Sequence, residues 1–132
     1  MILILKMEIM MKTGIDIIET NRLIKLVNNI KFLEKCFTPN EIEYFNSKPG
    51  KNIPQVISGH FALKEATAKA LETGLMREGV GFKNIEIKHK VSGAPYVILN
   101  GQALKIFEKL GTQIEVSISH TDNIATAICV IM

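Results

Sequence analysis

The chain has 132 residues, of which 47% are hydrophobic and 22% charged. That balance excludes an extended disordered chain and is enough for one domain with its own core. The net charge of +3, from 16 basic against 13 acidic residues, is too small for a nucleic-acid coat and suits an acidic protein or a phosphorylated ligand.

The mean hydropathy of +0.20 is slightly high and is compatible with apolar surface covered in an oligomer. Cys36 and Cys129 have neither metal-ligand spacing nor a disulfide framework around them, and are expected as reduced core thiols. The N-terminal stretch is apolar but is interrupted by Lys6, Glu8 and Lys12. It is too short to span a bilayer and lacks the layout of a secretory signal. Met1, Met7, Met10 and Met11 leave the start codon open, so residues 1–10 are an extension or an extra strand segment.

Residues 8–18 read as a strand ending in Gly14-Ile15-Asp16-Ile17-Ile18. Residues 20–35 read as one helix, because Leu23, Leu26, Val27, Ile30 and Leu33 share an apolar stripe. Arg22, Lys25 and Asn29 would then form one flank of that helix, and Lys31 and Lys35 the other. Thr38-Pro39-Asn40-Glu41 is a capping box with proline at the first helical position, which starts a short helix to about Asn46. Pro49-Gly50-Lys51-Asn52 is a loop.

Residues 55–72 carry the longest helical pattern, with Gly74 and Gly79 in the loop after it. Strands are expected at 85–91 and 96–99 around the turn Ser92-Gly93, with Pro95 entering the second. Residues 102–110 form a short helix closed by Gly111. The last strands are 114–121 and 124–131, joined across Asp122-Asn123. The order is strand, three helices, hairpin, helix, hairpin. The expected class is α+β with an antiparallel sheet and packed helices, in a single domain over residues 1–132.

Three places carry chemistry. Asp16 interrupts an apolar strand, so either it faces water or it is a metal ligand at a strand end. Glu65 and Lys69 lie one turn apart on an alanine-rich helix. They form either a surface ion pair or a partly enclosed carboxylate–ammonium site. Ser119-His120-Thr121 ends a strand beside a turn, either as an ordinary turn or as a cluster of phosphate donors. Two carboxylates, a lysine and a histidine suit metal-assisted phosphoryl transfer.

The ordered motifs resemble the small acyl-carrier-protein synthase class of 4′-phosphopantetheinyl transferases over about residues 12–131. They are Gly14-Ile15-Asp16-Ile17-Ile18-Glu19 with Arg22, Phe37-Thr38-x-x-Glu41, and Phe61-Ala62-x-Lys64-Glu65-Ala66-x-x-Lys69-Ala70. Ile85-Glu86-Ile87, Gly93-x-Pro95 and Val116-Ser117-Ile118-Ser119-His120-Thr121 follow in order. Two positions depart from the pattern. His60 stands where the class commonly has a basic residue, often arginine, which would make a phosphate contact weaker or pH-dependent. Glu72 stands where it often has glycine.

The resemblance implies transfer of 4′-phosphopantetheine from coenzyme A to a serine of apo-acyl carrier protein, in fatty acid biosynthesis and in the cytoplasm. It implies Mg²⁺ held by Asp16 and Glu65, with Glu65 as the base for the serine and Lys69 on the departing 3′,5′-ADP. It places Lys64, His60 and His120 at the coenzyme's phosphates, Pro95 near the adenine, and Thr73 with Gly74 at the same site. The carrier protein would dock on the Arg22 and Lys25 flank of a homotrimer with active sites at subunit boundaries. The rival readings are a carrier domain of a polyketide or peptide synthetase as substrate, and a non-catalytic basic binding module. The scarcity of strand aromatics argues against RNA, and no membrane partner is expected.

Overall fold

A computed structural model describes residues 10–48 and 53–132. The expected loop at 49–52 and the first nine residues lie outside them. Strand β1 (Lys12–Glu19) leads through a 3₁₀ turn (Thr20–Arg22) to helices α1 (Ile30–Cys36), α2 (Pro39–Asn46) and α3 (Ile53–Ala70). A second 3₁₀ turn (Phe82–Asn84) precedes the hairpin β2 (Ile85–His89) and β3 (Pro95–Leu99). Helix α4 (Gly101–Leu110) and the hairpin β4 (Ile114–His120) and β5 (Ile124–Ile131) complete the chain. The strands form an antiparallel sheet ordered β1-β5-β4 and a separate β2-β3 ribbon. The expected α+β class holds.

Helix α3 is the axis of the fold. Ala62, Ala66, Ala68 and Ala70 are buried on it, and across from it lie Ala125, Ala127 and Cys129 of β5. Small residues on both sides let helix and sheet approach closely. The approach is tightest at Gly14, where a Cβ would sit 1.9 Å from the carbonyl oxygen of Ala66. A side chain there would push β1 off the helix and take Asp16 with it.

The capping box forms as expected: Thr38 Oγ1 accepts from the Glu41 amide at 3.2 Å, and Glu41 Oε1 accepts from the Thr38 amide at 2.8 Å. Glu41 also reaches further. Its Oε2 accepts from the Ile87 amide at 2.9 Å, which ties α2 to β2. Gly111 closes α4 for a reason other than left-handed backbone. A Cβ there would stand 2.3 Å from the Met132 carbonyl oxygen. Cys36 and Cys129 are free and buried.

The single helix expected over 20–35 does not form. After the 3₁₀ turn the chain runs through turns to residue 28, and Asn29 then caps a new helix by accepting from the Phe32 amide at 3.2 Å. An asparagine side chain that bonds the backbone locally ends one helical run and starts another. Leu23 and Leu33 are buried, but Ile30 is 55% exposed, so the apolar stripe is broken too. Arg22, Lys25 and Asn29 are therefore not a row on one helix.

Among the described residues, no helix is long and apolar enough to cross a membrane.

Candidate active site

Asp16 lies on the sheet face that meets α3, beside Gly14, and is half-buried. Ile15 and Ile17 point the other way, at 64% and 66% exposure. The two isoleucines that flank Asp16 thus face outward, and its carboxylate faces inward beside buried Ile18, the reverse of a water-facing Asp16. Lys69 Nζ donates to Asp16 Oδ1 at 3.1 Å and to the Ile15 carbonyl oxygen at 3.0 Å. Glu65 stands one turn earlier on α3, half-buried. Burial first, and the Asp16 charge second, raise its carboxyl above the ordinary range, while Lys69 pulls it back. Two carboxylates pushed together cost energy unless a cation joins them. Lys69 supplies one positive charge; the oxygen-only donor set fits a hard divalent cation. Among the described residues no third metal-ligating side chain joins them, so the protein would leave most of the coordination shell to water and substrate oxygens.

The second part of the site is a cavity of about 190 Å³ lined by Tyr44, Gln55, His60, His89, Pro95 and His120, among others. Its floor is at Gly59, where a Cβ would meet Ile118 Cγ2 at 2.8 Å. Gln55 Nε2 donates to the Asp122 carbonyl oxygen at 3.2 Å, which ties the β4–β5 turn to the start of α3 and brings His120 to the cavity. Thr121 Oγ1 accepts from the Asn123 and Ile124 amides, so the hydroxyl shapes the turn. Asp16, Ala127 and Ile118 form one row across β1, β5 and β4. At about 4.8 Å per strand, the carboxylates and the cavity are roughly 10 Å apart. The rise of α3 from Gly59 to Glu65 agrees, at about 9 Å.

The structure thus joins Asp16, Glu65 and Lys69 in one cluster and His60, Pro95 and His120 in another. Two expected contacts fail. Lys64 is fully buried and donates to Glu41 Oε1 at 2.8 Å, the Phe82 carbonyl oxygen at 2.9 Å and the Ile85 carbonyl oxygen at 2.6 Å. All three of its donors are used in the core, so it has none for a phosphate. It lies five residues before Lys69, about 140° around the helix. Thr73 is also buried, and its hydroxyl bonds the Gly74 and Ala68 carbonyl oxygens at the end of α3, facing neither cluster. Glu72 takes a left-handed φ of 68° there, the conformation glycine favours. Its carboxylate pairs with Lys12 at 3.0 Å.

Sequence reading missed Tyr44, Gln55 and His89. The signal for His89 was present: a hairpin turning at Ser92-Gly93 puts His89 opposite Pro95, which is the observed register. Tyr44 belongs to another element, and nothing local marks its stacking on His89.

The sequence pattern of the 4′-phosphopantetheinyl transferase superfamily matches residues 12–129, and the chain belongs to that family. Within it, the resemblance is to acyl-carrier-protein synthases. A holo-[acyl-carrier-protein] synthase of Thermoanaerobacter sp. (strain X514) is 49% identical over 114 residues, covering 85% of this chain and 80% of the relative. One from Clostridium acetobutylicum is 45% identical over 120 residues, covering 89% and 94%. The crystal structure of Helicobacter pylori holo-[acyl-carrier-protein] synthase in complex with coenzyme A superposes with a TM-score of 0.77. Its sequence is 34% identical, and the match covers 91% of this chain and 99% of that one. The fold is that of the acyl-carrier-protein synthases.

Proposed function

We propose that the chain transfers 4′-phosphopantetheine from coenzyme A to a serine of apo-acyl carrier protein, releasing adenosine 3′,5′-bisphosphate, in the fatty acid biosynthesis of the cytoplasm. The observation that carries this is the half-buried Asp16–Glu65–Lys69 cluster where β1 crosses α3. It lies about one diphosphate-and-ribose length from a cavity with aromatic and imidazole walls. Asp16 and Glu65 would hold Mg²⁺, which when bound neutralises the diphosphate and orients it.

The serine hydroxyl attacks the phosphorus that bears pantetheine, forming one P–O bond as the bond to 3′,5′-ADP breaks. Glu65, whose raised pKa brings it nearer to neutral pH, accepts the serine proton. Lys69 is half-exposed and reaches Asp16, so its ammonium is at hand for the charge that grows on the leaving phosphate. Pro95 and His120 line the space for the adenosine.

The protein acts as a homotrimer. What supports this is the outer face of the β1-β5-β4 sheet, where Ile15 and Ile128 are directly opposed and Ile17 and Ile124 extend the patch. All four are at least 40% exposed, an apolar patch that a second copy would cover. Arg22 and Lys25 remain the carrier's docking residues. Both are exposed and, among the described residues, neither has an ion-pair partner.

The test is mass spectrometry of apo-acyl carrier protein after incubation with coenzyme A, Mg²⁺ and this protein, with a peptide-synthetase carrier domain in parallel. The expected result is a phosphopantetheine adduct on the acyl carrier protein that disappears in EDTA. No adduct overturns the reaction, and an adduct undiminished by EDTA overturns the metal.

A further inference from the structure

The chain has three histidines, and all three line the cavity of about 190 Å³ at Gly59: His60 from α3, His89 from the end of β2 and His120 from the end of β4. The Asp16–Glu65–Lys69 cluster uses none of them. Among the described residues, no aspartate or glutamate side chain lines this cavity. It is rich in imidazole nitrogen, whereas the first cluster offers carboxylate oxygen.

Two buried acceptors in the cavity have no donor. His60 Nδ1 lies 2.8 Å from the Val56 carbonyl oxygen. A carbonyl only accepts, so Nδ1 carries the proton and Nε2 presents its lone pair. Gln55 Nε2 donates to the Asp122 carbonyl oxygen, which turns Oε1 away from that carbonyl. His60 Nε2 and Gln55 Oε1 are both buried without a hydrogen-bond partner, and His60 as a whole is only 3% exposed. Lone pairs sealed from water cost free energy until a donor or a cation meets them.

The surroundings of His60 are those of a metal ligand. A histidine that binds a metal through one nitrogen usually donates the other N–H to a carbonyl or carboxylate, which fixes tautomer and ring. The ring centres of His60 and His89 are 5.0 Å apart. At a Zn–N bond of about 2.0–2.1 Å and a tetrahedral angle, two ligating imidazoles have centres about 5 Å apart. His89 stacks on Tyr44 with ring centres 4.1 Å apart and 5° between planes. Stacking holds the face of the imidazole and leaves its edge, where the lone pair lies, to a ligand. Burial lowers His60 to about 3, and burial followed by Lys48 lowers His89, so both are neutral and able to ligate at neutral pH. Among the described residues no group of three ligands is already gathered as a cage. His120 is exposed at its strand end, so rotation of its side chain can add the third nitrogen.

We propose that this cavity is a second metal site, which takes a borderline-soft divalent cation such as Zn²⁺ on His60 Nε2 and His89, with His120 and water completing the shell. Imidazole suits zinc and carboxylate oxygen suits magnesium, so the two sites sort the two ions. An ion bound here shuts out the nucleotide, and zinc therefore inhibits the transfer. That consequence, unlike the site itself, rests on the reading that the adenosine occupies this cavity.

The experiment is calorimetric titration of metal-free protein with Zn²⁺ in excess Mg²⁺, repeated with adenosine 3′,5′-bisphosphate, which has no thiol to bind the ion. Wild type should take up one Zn²⁺ per chain. D16N/E65Q, which lacks the carboxylate pair, should bind it equally well. H60N should bind at least about 100-fold more weakly, since loss of a supporting contact alone costs about 10- to 100-fold. H89Q should weaken binding in the same way, and its place on the hairpin keeps the test open if H60N does not fold. The bisphosphate should displace the ion.

A wild type that takes up no Zn²⁺ overturns the site. So does uptake that is lost in D16N/E65Q, or wild-type affinity in H89Q or in folded H60N. Zn²⁺ held through the histidines but not displaced by the bisphosphate would support the site and remove the adenosine from this cavity.

Discussion

Two lysine–carboxylate clusters each draw their lysine from α3, Lys64 with Glu41 of α2 and Lys69 with Asp16 of β1, and they differ in what they leave free. Glu41 and Lys64 are both sealed, and every charged atom has a partner in the core. Asp16, Glu65 and Lys69 are half-open, with Lys69 51% exposed at its side chain and Asp16 18%. The same residue types therefore build a structural bolt in one place and the candidate active site in the other. What separates them is saturation. A sealed pair with all its hydrogen bonds made has nothing left for a ligand, whereas crowded carboxylates with unused oxygens recruit a cation.

Substitution at the open cluster should have the largest effect and leave the fold alone. On the proposed roles, E65Q and D16N each remove a ligand charge, and E65Q also removes the base. Transfer should fall by about 10³-fold or more, with a melting temperature close to wild type. Thermal unfolding monitored beside the activity assay checks both halves. An unfolded D16N would mean that this cluster, too, holds the fold together.

The sealed cluster should respond the other way. K64M leaves Glu41 charged and unpaired in the core, and should cost about 3–5 kcal/mol of stability in urea unfolding. A second change, E41Q in the K64M background, should recover part of that loss because the orphan charge is gone. Residual folded K64M should keep its coenzyme A KM. A rise in KM with unchanged stability would restore Lys64 as a phosphate contact.

K69A sharpens the contrast between neighbours. Leaving-group charge peaks in the transition state, so kcat should drop about 10²- to 10³-fold while the KM for coenzyme A moves little. Pre-steady-state measurement of the transfer step separates this from product release. An effect confined to KM would make Lys69 a binding residue.

The smallest effect concerns His60, a sealed polar group that burial keeps neutral. Its native pKa of about 3 lies below the unfolded value of 6.5. The unfolded chain therefore takes up a proton first as pH falls. Stability from this group is fully present above about pH 6.5 and is lost between there and pH 3, at a slope approaching 1.4 kcal/mol per pH unit. Denaturant midpoints of wild type and H60N between pH 7 and 4.5 test this. Parallel curves would show that His60 is not held neutral.

The boundary between the two clusters is where sequence reading stopped. It found Asp16 because a carboxylate between isoleucines is conspicuous, and Glu65 with Lys69 because one helical turn makes them neighbours. It also placed the capping box at Thr38, since that signal is local. It gave Lys64 to the phosphates because motif order says nothing about which side of a helix is covered. It ran one helix through 20–35 because periodicity does not register an asparagine that caps a new start.

The sequence by itself determined the α+β order, the candidate trio of Asp16, Glu65 and Lys69, and the family, all of which rest on local pattern or on ordered motifs. Only the tertiary structure decided which lysine is free. The close contact of β1 and α3 at Gly14 turned Asp16 inward and its isoleucines outward, while α2 and β2 closed over Lys64. It also decided the second cavity, where Tyr44, His60, His89 and His120 come from four separate elements. Such a site exists only once those elements pack, because burial and approach across the fold are set by three-dimensional contact rather than by spacing along the chain.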